Sequence, residues 1–367
     1  MAEKSDYAFQ QEAKINQKIK QIEMMLPPIC GEYFSHLMLS KTPKTVYAYA
    51  NDLKMFFEFL CQHVFATEMD QIDMYMLKEV KASDISHFLI TMHNGHGKYD
   101  KNGLRENRNG DKALSRKLSS IKSFFHYCYL YGYLPSDVSS IVETPTKRRK
   151  NKNIIRLTEE ENNMLLNVIA YGENYSNNTL SERQITYAKK TRRRDYAIII
   201  TLLGTGIRVS ELVGIDINDI NFNDMSIRIF RKGAFFDIVF FGQEVNDALL
   251  TYLDERKKIK PLPGSEQALF LSLRKKRIDV RSVEKLVKKY NLLTGNAKNI
   301  TPHKLRSTFA TLTYEQTTDI MLTKNAMGHA DIKTTEIYVE NTSTEKRKDA
   351  ASKMVIFRNS DENKFEK

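Results

Sequence analysis

Residues 197–212, AIIITLLGTGIRVSEL, decide how the fold of this chain is interpreted. The first seven are almost all apolar and predict a buried helix, which runs into a bend flanked by Gly204 and Gly206. Arg208 then emerges near a helix end. Glu211 follows three residues later on the same face, where its carboxylate can hold the guanidinium flat. An isolated arginine–glutamate pair of this kind is more often a surface ion pair. Whether it belongs to a functional site therefore depends on the other motifs of the chain.

A β-hairpin follows this stretch. The runs SIRIF at residues 226–230 and IVFF at residues 238–241 are rich in β-branched and aromatic residues, and a turn containing glycine separates them. Lys232 lies at the tip of this hairpin, where a flexible ammonium can reach a ligand lying over the domain. Beyond about residue 244 the pattern is again helical.

A histidine and an arginine mark the start of a later helix. Thr301 suits the N-cap position and Pro302 the first helical position. His303 and Arg306 therefore fall in the first turn, three residues apart on one face. Such a pair on its own is more often an ordinary capped helix start.

The last motif is MGHADIKTTEIY, residues 327–338. Gly328 closes one helix and His329 follows the bend. Tyr338 lies nine residues later, on a short helix or turn. A lone tyrosine in this setting is more often half-buried packing.

The composition predicts two domains and a polyanionic partner. The 367 residues, at 42.6 kDa, exceed one ordinary core, and 41% hydrophobic residues exclude a largely disordered or fibrous chain. Fifty-seven Lys and Arg against 45 Asp and Glu give a net charge of +12 and a pI of about 9.3. A chain this basic most often meets nucleic acid, and less often an anionic membrane surface.

Signals for secretion, membrane insertion and metal binding are weak. The polar N-terminal segment has no apolar core of a signal peptide, and the most apolar stretch, residues 196–203, is far shorter than the roughly 20 residues of a membrane span. Three widely spaced cysteines predict neither a disulfide framework nor a zinc cluster. His87, His93 and His96 lie close in sequence, but no cysteine or carboxylate completes a zinc site. We expect a cytoplasmic protein without a metal.

A basic connector divides the chain. PTKRRKNK, residues 145–152, places five cations in six positions, and such a segment must be exposed because it cannot bury its charges. Thr158 and Glu161 then form a capping box that opens a new helix. We expect a helical domain over residues 1–146, a linker over 147–152 and a second domain over 153–367.

The first domain has a helical pattern, with apolar residues at helical spacing over residues 45–60 and 115–130. Residues 94–110, rich in Gly, Asn, Lys and Arg, predict a mobile loop. The 115–130 helix carries cations and small hydroxyls, which suit DNA phosphates but equally a solvated face. The basic linker likewise either contacts DNA phosphates or is simply a solvated segment. The candidate DNA contacts are Lys44, Thr45, Arg116, Lys117, Lys122, Lys147, Arg148, Arg149 and Lys150.

The order and spacing of these motifs resemble the catalytic signature of the tyrosine recombinases, the phage-integrase-like family. The resemblance extends over essentially the whole chain. Its length, its basic connector and the insertion around residues 176–194 are most similar to the Xer recombinases of the XerS type, which act without a partner recombinase. The chain departs from the family pattern at Ser307, Met327 and Glu340, outside the six catalytic positions.

The resemblance implies a mainly α-helical fold with a small β-sheet in the catalytic domain. It implies a two-domain, C-shaped clamp, in which a helical, SAM-like core-binding domain precedes the catalytic domain. In the family, the segment after the tyrosine docks into a neighbouring protomer. Residues 352–357, SKMVIF, form an apolar patch suited to this role, although the patch can instead pack on its own domain.

The resemblance also implies the reaction. Tyr338 attacks a scissile DNA phosphate to give a 3′-phosphotyrosyl link and a free 5′-hydroxyl, and strand exchange passes through a Holliday junction. Two fixed guanidiniums bind the nonbridging oxygens of the transition state, a task that magnesium performs in other nucleases. The implied catalytic residues are Arg208, Lys232, His303, Arg306, His329 and Tyr338, with Glu211 in support.

Each implied role suits the chemistry of its side chain. His303 is the base for the tyrosine proton, since free tyrosine titrates near roughly 10. Lys232 is the general acid for the leaving 5′-oxygen, His329 hydrogen-bonds a nonbridging oxygen, and Glu211 orients Arg208 or His303. No nucleotide cofactor is needed, because the phosphotyrosyl diester conserves the bond energy.

The implied partners are double-stranded DNA with a short, near-palindromic site and a homotetramer that spans two such sites, with a DNA translocase or an excisionase as accessory factor. The leading interpretation is chromosome dimer resolution by a cytoplasmic, nucleoid-associated enzyme. An integrase of a phage or integrative mobile element is the nearest alternative. A type IB topoisomerase and an inert DNA-binding protein are more distant ones.

Overall fold

A computed structural model describes residues 6–100, 103–144, 155–172, 181–231 and 235–328. They form two compact units, one drawn from Ser5–Asn151 and the other from Lys152–Lys367. Both are predominantly helical, and the second carries a three-stranded sheet, which confirms the predicted mainly α-helical class. None of the helices in the described ranges is both long and apolar enough to cross a membrane.

The N-terminal unit consists mainly of helices in its described part. The predicted helices at residues 45–60 and 115–130 are confirmed as parts of α3 and α6. Pro43 occupies the first turn of α3, where its fixed φ favours helix initiation. The elements are α1 (Asp6–Glu23), α2 (Ile29–Met38), α3 (Pro43–Leu60), α4 (Met74–Glu79), α5 (Ala82–Asn94), β1 (His96–Asp100), β2 (Gly103–Asn107) and α6 (Asp111–Leu130).

An aromatic cluster forms the core between α3, α5 and α6. Phe56, Phe57, Phe88, Phe124 and Phe125 are all fully buried. The ring centroids of Phe56 and Phe88 are 5.3 Å apart and those of Phe57 and Phe124 are 5.7 Å apart, both edge to face. Each such pair contributes about 0.5–1.5 kcal/mol beyond the burial of its area, so these rings fix the three helices against one another.

A buried carboxylate also joins α3 to α6. Asp52 is 1% exposed and accepts hydrogen bonds from Arg116, from Lys117 Nζ at 3.2 Å and from Ser120 Oγ at 3.2 Å. Lys117 is itself only 3% exposed, so its ammonium is neutralised inside the unit. Two charges removed from water in this way are tolerated only while they remain paired.

The segment between α5 and α6 differs from its prediction. β1 and β2 form an antiparallel hairpin in which His96 pairs with Asn107 and Asp100 with Gly103. The prediction of a mobile loop over residues 94–110 is therefore wrong for the part of the segment that forms these two strands. Main-chain pairing between neighbouring segments requires no apolar pattern, and the sequences HGKYD and GLREN do not carry the alternation that identifies a half-buried strand.

The second unit begins with the predicted capping box. Thr158 Oγ1 accepts a hydrogen bond from the Glu161 N–H at 3.3 Å, and Glu161 Oε2 accepts one from the Thr158 N–H at 2.8 Å. The predicted hairpin is confirmed as β4 and β5. The elements are α7 (Glu159–Tyr171), α8 (Glu182–Thr205), α9 (Val209–Leu212), β3 (Ile220–Asn221), β4 (Ser226–Arg231), β5 (Phe235–Phe240), α10 (Gln243–Arg256), α11 (Val280–Leu293), α12 (Pro302–Thr317) and α13 (Ile320–Met327).

Helix α8 runs through the core of this unit and packs against α7, α10 and α12. Ala197, Ile198, Ile199 and Leu202 are fully buried, as the apolar sequence predicts. The helix is followed by Gly206 in the left-handed region, at φ +62°. The bend carries the chain out of the core directly into α9.

Strand β4 is the middle strand of the antiparallel sheet, in the order β3-β4-β5. Successive residues of a strand point to opposite faces. Ile227, Ile229 and Arg231 are therefore buried on one face, while Arg228 lies exposed on the other. A buried guanidinium at the end of an apolar strand face requires polar partners.

Replacing Asp52 by alanine should destabilise the protein by about 3–5 kcal/mol, because the buried Lys117 ammonium would lose its counter-charge. Urea unfolding followed by circular dichroism measures this loss. The control is Glu58→Ala on the same helix, since Glu58 forms an exposed pair with Lys54 at 3.8 Å and such pairs contribute about 0–1 kcal/mol. Equal losses in the two variants would contradict the prediction.

Candidate active site

The bend after α8 places Arg208 at the N-cap of α9 and Glu211 in its first turn. The Arg208 main-chain N–H donates to Glu211 Oε2 at 2.7 Å, and Arg208 Nη1 donates to Oε1 at 2.8 Å. The Glu211 side chain is 3% exposed and that of Arg208 is 36% exposed. The carboxylate thus anchors the guanidinium from the buried side and leaves part of it accessible. The predicted contact between these two residues is confirmed.

Arg306 joins the ends of two helices. It lies just after the first turn of α12 and is 5% exposed. Its Nη1 donates to the Gly206 carbonyl at 2.5 Å, and its Nη2 donates to the Met327 carbonyl. Carbonyls at helix C-termini lack partners within the helix and carry partial negative charge. One buried cation therefore holds the ends of α8 and α13 against α12.

A third guanidinium, that of Arg231, connects these two groups. Arg231 Nη1 lies 3.6 Å from Glu211 Oε2 and donates to the Met327 carbonyl at 3.2 Å. Arg208 and Arg231 share the Glu211 carboxylate, while Arg231 and Arg306 share the Met327 carbonyl. The three arginines form one continuous polar network.

Two glycines allow this network to close. Gly206 and Gly328 both end helices in the left-handed region, at φ +62° and +56°. A Cβ on Gly206 would lie 2.2 Å from Phe309 Cδ1, and a Cβ on Gly328 would lie 2.3 Å from Arg231 Cζ. The bends predicted from these glycines are therefore also packing surfaces that leave no room for a side chain.

His303 lies exposed on α12, three residues before the buried Arg306. The helix begins at Pro302, as predicted, so His303 lies in its first turn, and Arg306 follows at the start of the second turn, contrary to its predicted place in the first. The imidazole is accessible to a ligand that approaches this face of the unit.

The described residues include four of the seven predicted catalytic positions: Arg208, Glu211, His303 and Arg306. The other three lie outside the described residues: Lys232, His329 and Tyr338. In the chain, Lys232 directly follows Arg231 and His329 directly follows Gly328. Lys232 is therefore the next residue in the chain after one arginine of the network, and His329 is the next residue after the glycine that packs against that arginine.

Arg231 is a member of the network that the sequence motifs do not single out, because it directly follows the run SIRIF that predicts the strand. The period-two alternation of SIRIFR would have placed it on the same face as Ile227 and Ile229. Its Nε also donates to Asp237 Oδ2 at 2.8 Å, so a carboxylate of β5 completes its surroundings.

The predicted DNA contacts of the N-terminal unit differ in exposure. Lys44 is exposed at the start of α3, and the Arg116 side chain is 46% exposed. Lys122 is half-buried and donates to the Ser140 carbonyl at 3.3 Å. Thr45 is half-buried, with its hydroxyl engaged by a neighbouring threonine.

Lys117 differs from this group. It is buried and donates to Asp52 and to Met55 Sδ, so the structure places its ammonium in the interior and not on a surface that a phosphate could reach. The linker candidates lie outside the described residues: Lys147, Arg148, Arg149 and Lys150.

The network suits an anionic ligand. A partly exposed guanidinium held in one plane can bind a phosphate or a carboxylate through two parallel hydrogen bonds. Arg208 has this arrangement because Glu211 fixes its plane from the buried side. Among the described residues, no group of three or more His, Cys, Asp or Glu side chains is arranged to hold a metal ion.

Comparison with known proteins gives consistent results at the level of sequence. Residues 146–345 match the Phage integrase family. The tyrosine recombinase XerS of Streptococcus agalactiae is 30% identical over 353 residues, which cover 90% of this chain and 96% of that protein. The tyrosine recombinase XerD of Staphylococcus epidermidis is 28% identical over 322 residues, covering 87% and 96%.

Solved structures agree at the level of the fold. XerH site-specific recombinase bound to palindromic difH substrate has a TM-score of 0.60 at 21% identity, covering 84% of this chain and 79% of that one. The Tn1549 transposon integrase in complex with circular intermediate DNA also has a TM-score of 0.60, at 20% identity, covering 88% and 98%.

Gly206→Ala should destabilise the protein by about 2–4 kcal/mol, since left-handed strain costs about 1 kcal/mol and the clash with Phe309 about 1–3 kcal/mol. Urea unfolding provides the measurement. The matched control is Gly295→Ala, because Gly295 also has positive φ (+70°) and an added Cβ there meets no described atom within 4 Å. If both variants lost the same stability, the close approach of Phe309 would carry no cost.

Proposed function

This chain belongs to the phage integrase family, as a Xer-like tyrosine recombinase that breaks and rejoins DNA, and we propose that it recombines specific sites through a covalent tyrosine–DNA intermediate. The observation that carries this proposal is the network in which one carboxylate and one main-chain carbonyl hold three arginines. It concentrates fixed positive charge around Arg208 and Arg306, the two residues that this proposal assigns to the scissile phosphate.

The proposed first step is attack of the Tyr338 oxygen on the DNA phosphorus. An O–P bond to the tyrosine forms as the bond from phosphorus to the 5′-oxygen breaks, so a phosphodiester becomes a phosphotyrosyl diester. Arg208 and Arg306 stabilise the charge on the nonbridging oxygens, and His329 donates a further hydrogen bond. Because Glu211 and two carbonyls already hold these guanidiniums, little reorganisation accompanies the reaction.

Two protons move in this step. His303 accepts the tyrosine proton, a role that its exposed position on α12 permits. Lys232 donates a proton to the leaving 5′-oxygen. The reverse sequence, with the 5′-hydroxyl of a second strand as nucleophile, rejoins the DNA in a new combination. Neither direction requires a nucleotide cofactor, since one diester replaces another.

We propose that the protein works as a homotetramer on two near-palindromic sites, with Lys44, Arg116 and Lys122 of the N-terminal unit among its phosphate contacts. The biological task that we propose is chromosome dimer resolution. The 30% identity to XerS, which extends over 90% of the chain, supports this task over the integration of a mobile element. Accessory factors such as a DNA translocase fit the same scheme.

The Tyr338→Phe variant should form no covalent adduct with nicked DNA that carries the recombination site, whereas the wild type should form one, with EDTA present. A denaturing gel shows the adduct, and a native gel of the same mixtures shows binding and the tetramer. Tyr187→Phe, at a side chain 39% exposed, is the control that retains the adduct. An adduct with Tyr338→Phe would assign the nucleophile to another residue.

Arg208→Ala should lower the single-turnover cleavage rate by about 100- to 1000-fold, the usual effect of removing one donor to transition-state charge. DNA affinity should change far less, because many phosphate contacts contribute to it. Arg228→Ala removes an equal charge from an exposed position of β4 and should leave the rate unchanged. Parallel loss of binding and cleavage in Arg208→Ala would make Arg208 a DNA-anchoring residue.

A further inference from the structure

Two histidines of the N-terminal unit that the proposed function does not use lie side by side. His63 belongs to the π-helical turn Cys61–Phe65 that continues α3, and His87 lies on α5. The sequence places His87 near His93 and His96, whereas the packing of α3 against α5 places it beside His63. The ring centroids of His63 and His87 are 6.0 Å apart, and the two rings are inclined by 57°.

One buried ring supports both imidazoles. Phe59 is 3% exposed, and its ring centroid lies 4.6 Å from that of His63 and 5.3 Å from that of His87. Phe59 and His63 are four residues apart, so they share one face of the helix. An edge-to-face contact with Phe88, at 5.6 Å, holds Phe59 in the core. Both imidazoles therefore rest on the same apolar surface.

The ring nitrogens of the pair are available to a ligand. Both side chains are exposed, and neither makes a hydrogen bond or an ion pair with another residue that the structure describes. The other histidines of this unit whose side chains are described each have a polar partner; they are His36, His93 and His126. A neutral imidazole carries one nitrogen lone pair, which is a ligand that Zn²⁺, Cu²⁺ and Ni²⁺ favour.

The spacing of the two rings permits one ion to be shared. With metal–nitrogen bonds of about 2.0–2.1 Å, the ion lies roughly 3 Å from the centre of each ring, so rings that share it have centres roughly 4.5–6 Å apart. The observed 6.0 Å lies at the upper end of this range. Because both side chains are exposed, a small rotation about their side-chain bonds brings the nitrogens to a tetrahedral arrangement.

The charge around the pair favours a cation. Residues 55–77 contain four carboxylates and no lysine or arginine, in a chain whose net charge is +12. The four are Glu58, Glu68, Asp70 and Asp73. Negative charge of this kind raises the local concentration of cations and repels a polyanion. This part of the unit therefore suits a metal ion better than it suits DNA.

We propose that His63 and His87 together bind one divalent transition-metal ion, of the class that includes Zn²⁺ and Cu²⁺, and that the ion joins the end of α3 to α5. One nitrogen of each ring holds the ion, and water occupies the remaining positions. The site is independent of the proposed function, because Arg208 and Arg306 belong to the other unit.

The test titrates the whole chain with zinc chloride in a calorimeter. His63→Ala and His87→Ala should each weaken binding by at least about 10- to 100-fold, the range known for the loss of even an outer-shell partner of a metal site. The double variant should lose nothing further, because a shared ion needs both rings. His93→Ala, an exposed position on the same helix, should bind zinc as the wild type does. Magnesium chloride should not bind at this site, since Mg²⁺ prefers oxygen ligands.

Cu²⁺ provides a second measurement. The electron paramagnetic resonance spectrum of the equimolar Cu²⁺ complex should show two nitrogen ligands in the wild type and in His93→Ala, and fewer in each single variant. His63→Phe and His87→Phe should lose the metal to the same extent as the alanine variants. They retain a ring against Phe59, so they separate the loss of a ligand from the loss of packing and carry the test if an alanine variant does not fold.

Three results would overturn this inference. The first is a wild type that binds no Zn²⁺, and the second is zinc binding that is unchanged in the single variants. The third is loss of one ion in each single variant and of two in the double variant, because each imidazole would then bind an ion on its own. The covalent-adduct assay contains EDTA, so its outcome neither depends on this site nor decides it.

Discussion

One buried carboxylate, that of Glu211, organises the candidate active site. Glu211 holds the Arg208 guanidinium with one oxygen, and with the other it accepts the Arg208 main-chain N–H and faces Arg231. A carboxylate removed from water is stable only among cations, and buried guanidiniums in turn require acceptors. The bend after α8 and the end of β4 therefore converge on one charge, and Arg231 extends the network to Arg306 through a shared carbonyl.

Helix ends supply the remaining acceptors. The carbonyls of Gly206 and Met327 lie at the C-termini of α8 and α13, where they have no partner in their own helices. Arg306 satisfies both, so the same bonds that complete two helices also fix a guanidinium. Stability and pre-organisation for the proposed reaction rest on the same contacts, which keep the cations in place before DNA arrives.

The N-terminal unit also contains a buried carboxylate that is paired with cations. These cations are part of the excess that gives the chain its net charge of +12. Asp52 draws Lys117 into the interior between α3 and α6, while Arg116 one position earlier remains partly exposed. Neighbouring cations of one helix thus differ in availability. A basic composition indicates a polyanionic partner, but it does not identify which cations meet that partner.

The sequence by itself determined the features that depend on near neighbours: the helix and bend around Gly206, the capping box at Thr158, the β4–β5 hairpin and the start of α12 at Pro302. The family motifs added the candidate site, because their order along the chain is itself sequence information. The tertiary structure decided the burial of Lys117 and the partners of Arg231, whose buried face the alternation of β4 already indicates. Asp52 lies 65 residues from Lys117 and Met327 lies 96 residues from Arg231, and no local pattern identifies such distant partners, since packing alone brings the segments together.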